Sequence, residues 1–293
     1  APSALDEGTL WAVKNGPGTL YRLDWTGSAW APSAEAGAGW AAGTPLHYAD
    51  GTGDVDAEGV AFTAAGPAGG VFVSSERDNS VSGAGSGADS GAGAGAGLSA
   101  SMEWNLAADL PAVGANAGLE GITWVPDAAL VAKGFVDERT NALYDPTLYA
   151  GHGDGLFFVG LEANGTVYAY ALDQVTGGYD RVATISSGFT GAPGGGAAGA
   201  AAGRFVVTEV LERPTGMPNL NNEGFALAPQ SQCVGGSKTA FWSDDNGTDG
   251  HSLRTGTVEC AEAPVDPTDP TDPTDPTDPT DPTDPTDPTN PTD

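Results

Sequence analysis

Apolar and polar positions alternate along this chain in short stretches, and the stretches recur. Three of them open on a Glu-Gly pair: Glu58-Gly59-Val60-Ala61-Phe62, Glu120-Gly121-Ile122-Thr123-Trp124 and Glu223-Gly224-Phe225-Ala226-Leu227. Each has the period of two expected of a short, half-buried strand. After a turn or a longer insertion, each is followed by a second, aromatic-rich run: Val71-Phe72-Val73-Ser74, Leu156-Phe157-Phe158-Val159 and Ala240-Phe241-Trp242-Ser243. Leu10-Trp11-Ala12-Val13 reads as a fourth copy of this second strand. It passes through the turn sequence Asn15-Gly16-Pro17-Gly18 into Thr19-Leu20-Tyr21-Arg22-Leu23-Asp24. The copy at Leu156 continues in the same way, through the hairpin dipeptide Asn164-Gly165 into Thr166-Val167-Tyr168-Ala169-Tyr170.

Strand, turn, strand, turn, strand at spacings of tens of residues predicts an all-β chain folded as a β-propeller. A sandwich calls for shorter, more even spacing and no repeated Glu-Gly opening. At about 40–50 residues per blade, residues 1–263 make roughly five to six blades. Two stretches interrupt the pattern: Ser80 to Ala100, with alternating Gly and Ala from Gly91 to Gly97, and Gly191 to Gly203. Such small side chains cannot supply a packed strand, so both read as loops and leave one blade incomplete. Residues 264–293 form a separate segment of Asp-Pro-Thr repeats. Proline at every third position favours an extended polyproline II tail of roughly 85 Å, suited to a spacer or a stalk.

Charge narrows the partners. Ten Lys and Arg stand against 39 Asp and Glu, for a net charge of −29, and the tail holds nine of the acids. Such a surface repels nucleic acid and anionic lipid. No apolar run approaches the ~20 residues of a membrane span. An acid-rich, soluble exterior and a collection of hard-cation sites both remain open. The two cysteines, Cys233 and Cys260, have no metal-binding or redox companion. In an exported chain they pair as a disulfide, which contributes roughly 3–4 kcal/mol in the chain-entropy model. Ala1-Pro2-Ser3-Ala4 has the small-residue look of an end left by signal-peptide removal. The expectation is an extracellular or cell-surface monomer.

The repeated glutamates are the leading candidates for chemistry. One carboxylate per blade, on a strand near the central axis, gathers several around one channel, where they repel unless a cation joins them. Calcium takes six to eight oxygen ligands and is the natural partner. The candidate ligands are Glu58, Glu120, Glu223, Asp56, Asp244 and Asp245, with Asp54 and Asn222 close by in sequence. In the alternative reading, each Glu accepts backbone N–H groups across a blade turn and is structural. Arg77, in Ser75-Glu76-Arg77-Asp78-Asn79, sits just past a repeat strand, and Lys14 occupies the matching place after Val13. Either could clamp a phosphate or carboxylate, and Arg77 could equally pair with Glu76 or Asp78. His47, His152 and His251 share no ligand spacing and read as polar surface. No GxSxG, Walker or HExxH motif is present, which argues against a serine hydrolase, an NTPase or a zinc protease.

Several of these segments resemble one family. Asp54-Val55-Asp56-Ala57-Glu58-Gly59-Val60 leading to Ser75-Glu76-Arg77-Asp78-Asn79 is similar to the phytase-like ("esterase-like activity of phytase") propellers. So are Asn116-Ala117-Gly118-Leu119-Glu120-Gly121-Ile122-Thr123-Trp124, Asp154 to Val159, and Pro218 to Phe225. The resemblance runs from about Thr9 to Cys260 and is to the version found in exported actinobacterial proteins. It implies a propeller fold and calcium-assisted phosphoester or ester hydrolysis. Glu58, Glu120 and Glu223 would then organise the cations, and Arg77 would orient the ester. The dense basic cluster that grips polyphosphate in true β-propeller phytases has no counterpart in this sequence. Two functions therefore stand: a calcium-dependent phosphoester hydrolase, and a non-catalytic module that binds a wall polymer or protein partner on a stiff stalk.

Overall fold

The computed structural model describes residues 2–6, 8–34, 42–84, 97–114, 116–188, 196–201, 203–210, 220 and 222–261. The Asp-Pro-Thr segment and the Gly-Ala run at 85–96 lie outside the described residues. Four small, mainly antiparallel sheets stand in a ring, the β-propeller arrangement that the strand repeat predicts.

The first blade is built from β1 (Pro2–Asp6), β2 (Thr9–Lys14), β3 (Thr19–Trp25), β4 (Trp30–Pro32) and β5 (Thr44–His47). The second holds β6 (Ala57–Thr63), β7 (Gly66–Ser75) and β8 (Ser80–Ala84). The chain then returns as β9 (Leu98–Ser99) to pair in parallel with β5, and β10 (Met102–Asn105) completes the second blade. The third blade opens with β11 (Leu119–Pro126). An insertion follows, made of α1 (Asp127–Ala132) and the short hairpin β12 (Val136–Asp137) and β13 (Ala142–Leu143). The blade closes with β14 (Gly155–Leu161), β15 (Thr166–Leu172) and β16 (Tyr179–Ser186). A two-stranded ribbon, β17 (Gly196–Ala201) and β18 (Arg204–Val210), precedes the fourth blade of β19 (Asn222–Leu227), β20 (Ser237–Asp244) and β21 (Leu253–Glu259). Length suggests five to six blades; among the described residues there are four sheets in the ring, and the ribbon has the strand count of an incomplete one.

Strands β1, β6, β11 and β19 line the axis. Each lies at one end of its sheet, and β6 packs against both β1 and β11 while β1 packs against β19. The second strand of each blade explains the unbroken apolar runs in the sequence. In β7, Val71 and Val73 face the first blade, with Trp11, Val13 and Leu20, while Phe72 faces the third, with Trp104 and Phe157. In β14, Phe157 and Val159 face the second blade, and Leu156 and Phe158 pack with Phe135 of the insertion and Phe205 of the ribbon. In β2, Leu10 turns instead to the fourth blade, against Ala226 and Phe241. A blade between two neighbours has two buried faces, so its middle strands are apolar on both.

Three expectations need correction. The stretch from Ser80 is not all loop: β8 is a fully buried strand, because Val81 carries the apolar contact and Gly83, on the same face, lets the Phe72 and Trp104 rings close over it. Gly191 to Gly203 likewise contains β17, paired with β18. His152 is not surface but only 6% exposed. Its Nε2 lies 3.0 Å from Asp127 Oδ2, and Tyr144 OH donates to Asp127 Oδ1 at 2.7 Å. This network braces the insertion internally, joining the first turn of α1 to the segment just before β14. Burial, with Asp127 alongside, raises the Tyr144 hydroxyl well above the ordinary phenol value. No helix among the described residues is long and apolar enough to cross a membrane.

Candidate metal centre

The antiparallel meander determines what can meet at the axis. The start of an inner strand and the end of the strand beside it lie at the same end of a blade. Glu58, Glu120 and Glu223 sit at or near the start of β6, β11 and β19. In each case a register shift falls on the Glu-Gly pair, between Ala57 and Gly59, Leu119 and Gly121, and Glu223 and Phe225. Such a bulge re-aims a side chain at the edge of a sheet. The residues that follow the second strands join them: Asn15 after β2, Glu76 after β7, Glu162 after β14 and Asp245 after β20.

The result is one shared cluster of acids. Asp56, Glu58 and Glu76 bring carboxylate oxygens within 4.8 Å of one another, and so do Glu76, Glu120 and Glu162. Glu223 and Glu120 share a side-chain hydrogen bond, and Asp245 acts on Glu223 through its charge. Asn15 Nδ2 donates to Glu58 Oε1 at 2.8 Å, and the Gly118 N–H donates to Glu76 Oε1 at 3.3 Å. The Gly after Glu58 has a clear purpose. A methyl group on Gly59 would sit 2.8 Å from the Ile122 nitrogen and 3.0 Å from the Gly121 Cα, so only glycine lets β6 and β11 approach this closely.

Electrostatics follow from burial and crowding. Burial pushes Glu58 up to about 7, with Asp56 and Glu76 adding to the rise and the Asn15 hydrogen bond opposing it. Burial and then the charges of Glu223, Glu58, Glu76 and Glu162 push Glu120 up to about 9. Glu76 and Glu223 are raised by the same causes. Two carboxyl groups joined by a hydrogen bond need a proton between them, and burial with crowding favours keeping it.

The three repeated glutamates and Asp56 therefore meet, and Asp245 reaches Glu223 electrostatically. Asp244 has a different setting. It is completely buried, its Oδ2 accepts from Arg254 Nη2 at 2.9 Å and from the Thr248 N–H at 3.0 Å, and it holds the turn after β20. Burial opposes its ionisation, yet Arg254 and Thr248 together keep its carboxyl below the usual range. Arg77 pairs with neither Glu76 nor Asp78: its guanidinium lies 3.1 Å from Asp56 and stays 61% exposed at the rim of the cluster. Lys14 donates to the Gly16 carbonyl and is exposed. Glu76, Glu162 and Asn15 do not follow from the Glu-Gly motif. Their signal was available, since each is the first polar residue past a second strand.

The donor set is all oxygen and suits a hard cation such as calcium better than zinc. Ser74 Oγ, near the end of β7, is completely buried and has no hydrogen-bond partner. The acidic cluster is capable of holding a metal ion. No protein-family model matches the chain, and no curated protein matches it.

Proposed function

We propose that this chain is an exported, calcium-binding propeller of the phytase-like kind, acting on a phosphoester at the axial carboxylate cluster. The observation that carries the reading is the meeting of Asp56, Glu58, Glu76, Glu120, Glu162 and Glu223 from three blades at one end of the axis. These residues would hold the ions. Bound calcium supplies positive charge that polarises a phosphoryl oxygen and lowers the pKa of a coordinated water. Asn15 fixes the Glu58 carboxylate by its amide, and the Gly118 N–H fixes Glu76. Arg77, anchored by Asp56 and open to solvent, is placed to orient an anionic ester at the rim. The disulfide supports the extracellular assignment, because such bonds persist in oxidising compartments.

A second reading, a non-catalytic wall-binding or protein-binding module, is favoured by one observation. The rim cation Arg77 is already committed to a carboxylate, and no dense basic cluster stands in the sequence. Hydrolysis of a generic phosphoester and of phytate, with calcium and with chelator, separates the two. Turnover that chelator abolishes supports the hydrolase. Calcium binding by calorimetry without turnover supports the module, and absence of calcium binding overturns the hydrolase. Arg77→Ala gives a further check. KM for the ester should rise several-fold, and because the variant leaves the buried Asp56 carboxylate without its partner among other acids, the urea midpoint should fall as well.

A further inference from the structure

The fourth blade is closed in an unusual way. Its strands β19, β20 and β21 are consecutive in the chain, and no described strand from the N-terminal part is hydrogen-bonded into its sheet. Among the described residues the outer strand β21 has one hydrogen-bonded neighbour, β20, and it alternates between half-buried and exposed residues. The C-terminal end of β21 lies at the Ser237–Glu259 pair. A pull applied there opens the β20–β21 hydrogen bonds one after another, which is the weakest way to load an antiparallel pair. Cys260 is the next residue. Its N–H donates to the Gly236 carbonyl, and its sulfur is bonded to Cys233, 27 positions earlier, just before β20.

We infer that the Cys233–Cys260 bond is a tension clasp. Load arriving through the 33 residues that follow Cys260 passes straight to Cys233 and bypasses β20 and β21. It then runs along β19, whose two ends are drawn apart, so that the β19–β20 hydrogen bonds and the packing on β1 share the load at once. The turn carrying Asp245 lies inside the closed loop, so the fourth blade keeps its place at the carboxylate cluster while the tail is under tension. The biological purpose rests on reading the Asp-Pro-Thr segment as a stalk; the mechanical claim rests on the hairpin and the bond alone.

Single-molecule stretching of the full chain, held by its two ends, tests the clasp. The oxidised protein should show no step before the main unfolding event. After treatment with a phosphine reductant, an early step of about 90 Å, from 27 residues at ~3.3–3.6 Å each, should come at less than half the force. The same first event at the same force in both forms overturns the inference. Reduction could unfold the blade beforehand, so a second measurement keeps the protein oxidised and moves the handle to a tag inserted in the turn Thr248–Gly250. That pull unzips β20 from β19 at the Asn222–Asp244 pair and should succeed at markedly lower force than a pull on the tail. Equal forces from the two positions overturn the clasp as well. A tail that binds no wall polymer would remove the source of load and leave these forces unchanged.

Discussion

In the presence of chelator, the folded protein loses stability as pH rises from about 4.5 to about 9, and Glu120→Gln removes most of that slope. The ordinary glutamate value is 4.5, and burial with four neighbouring acids pushes Glu120 up to about 9. Within that window the native protein keeps a proton that the unfolded chain has released. Stability is therefore fullest below 4.5, falls through the window, and levels once the native carboxyl has also ionised. Glu58, pushed up to about 7, steepens the lower half of the fall. A glutamine has no charge to suppress, so the variant should be the more stable protein without metal at pH 8. Calcium should reverse the order. It replaces the shared proton, and ligand saturation at a hundred times Kd stabilises the wild type by about 2.7 kcal/mol. The variant, lacking one anionic ligand, should bind on the order of tenfold more weakly. Urea titrations across this pH range, with chelator and with excess calcium, give both results. A flat wild-type profile in chelator would show that the glutamates do not crowd one another.

How much of this was legible beforehand depends on the residue. The strand repeat and the Glu-Gly motif are local patterns, and they are enough to place Glu58, Glu120 and Glu223 on equivalent strands and to predict that they converge. Blade count was not legible, because length per blade assumes that each blade spends its residues evenly. Here the third blade spends residues 127–154 on an insertion that contributes nothing to its four-stranded sheet. The burial of β8 was hidden as well. Serine, glycine and alanine carry no apolar period, and only the Phe72 and Trp104 rings above them make a strand of that composition pack. Glu76 and Glu162 were missed for a related reason: the alternation that marks a strand stops where they begin. Their role comes from the meander, which returns the end of each second strand to the glutamate end of the blade. Arg77 illustrates the limit of nearest-neighbour reasoning. Two acids flank it in sequence, yet the one it meets is Asp56, brought to it by the β6–β7 pairing.

Gly59→Ala is expected to destabilise the ring and Gly121→Ala to be among the mildest changes, although both glycines follow a repeated glutamate. The backbone at neither position requires glycine, since neither has a positive φ. What differs is space. The added carbon at Gly59 meets the Ile122 nitrogen at 2.8 Å, Ser74 Oγ at 2.8 Å and the Gly121 Cα at 3.0 Å, and two of these three are backbone atoms of β11 that cannot rotate away. The second and third blades must separate to admit it. Overpacking of this kind costs roughly 1–3 kcal/mol, and the same displacement would draw Glu58 away from Glu120 and weaken calcium binding. At Gly121 a methyl group meets nothing within 4 Å. There the substitution removes only the extra freedom of a glycine in the unfolded chain, a gain of about 0.4–1 kcal/mol. Paired denaturation curves and calcium isotherms decide the matter. If both variants lose stability equally, the close approach of β6 to β11 is not what the first glycine is for. If Gly59→Ala is destabilised but binds calcium with unchanged affinity, the seam matters to the fold and not to the ion.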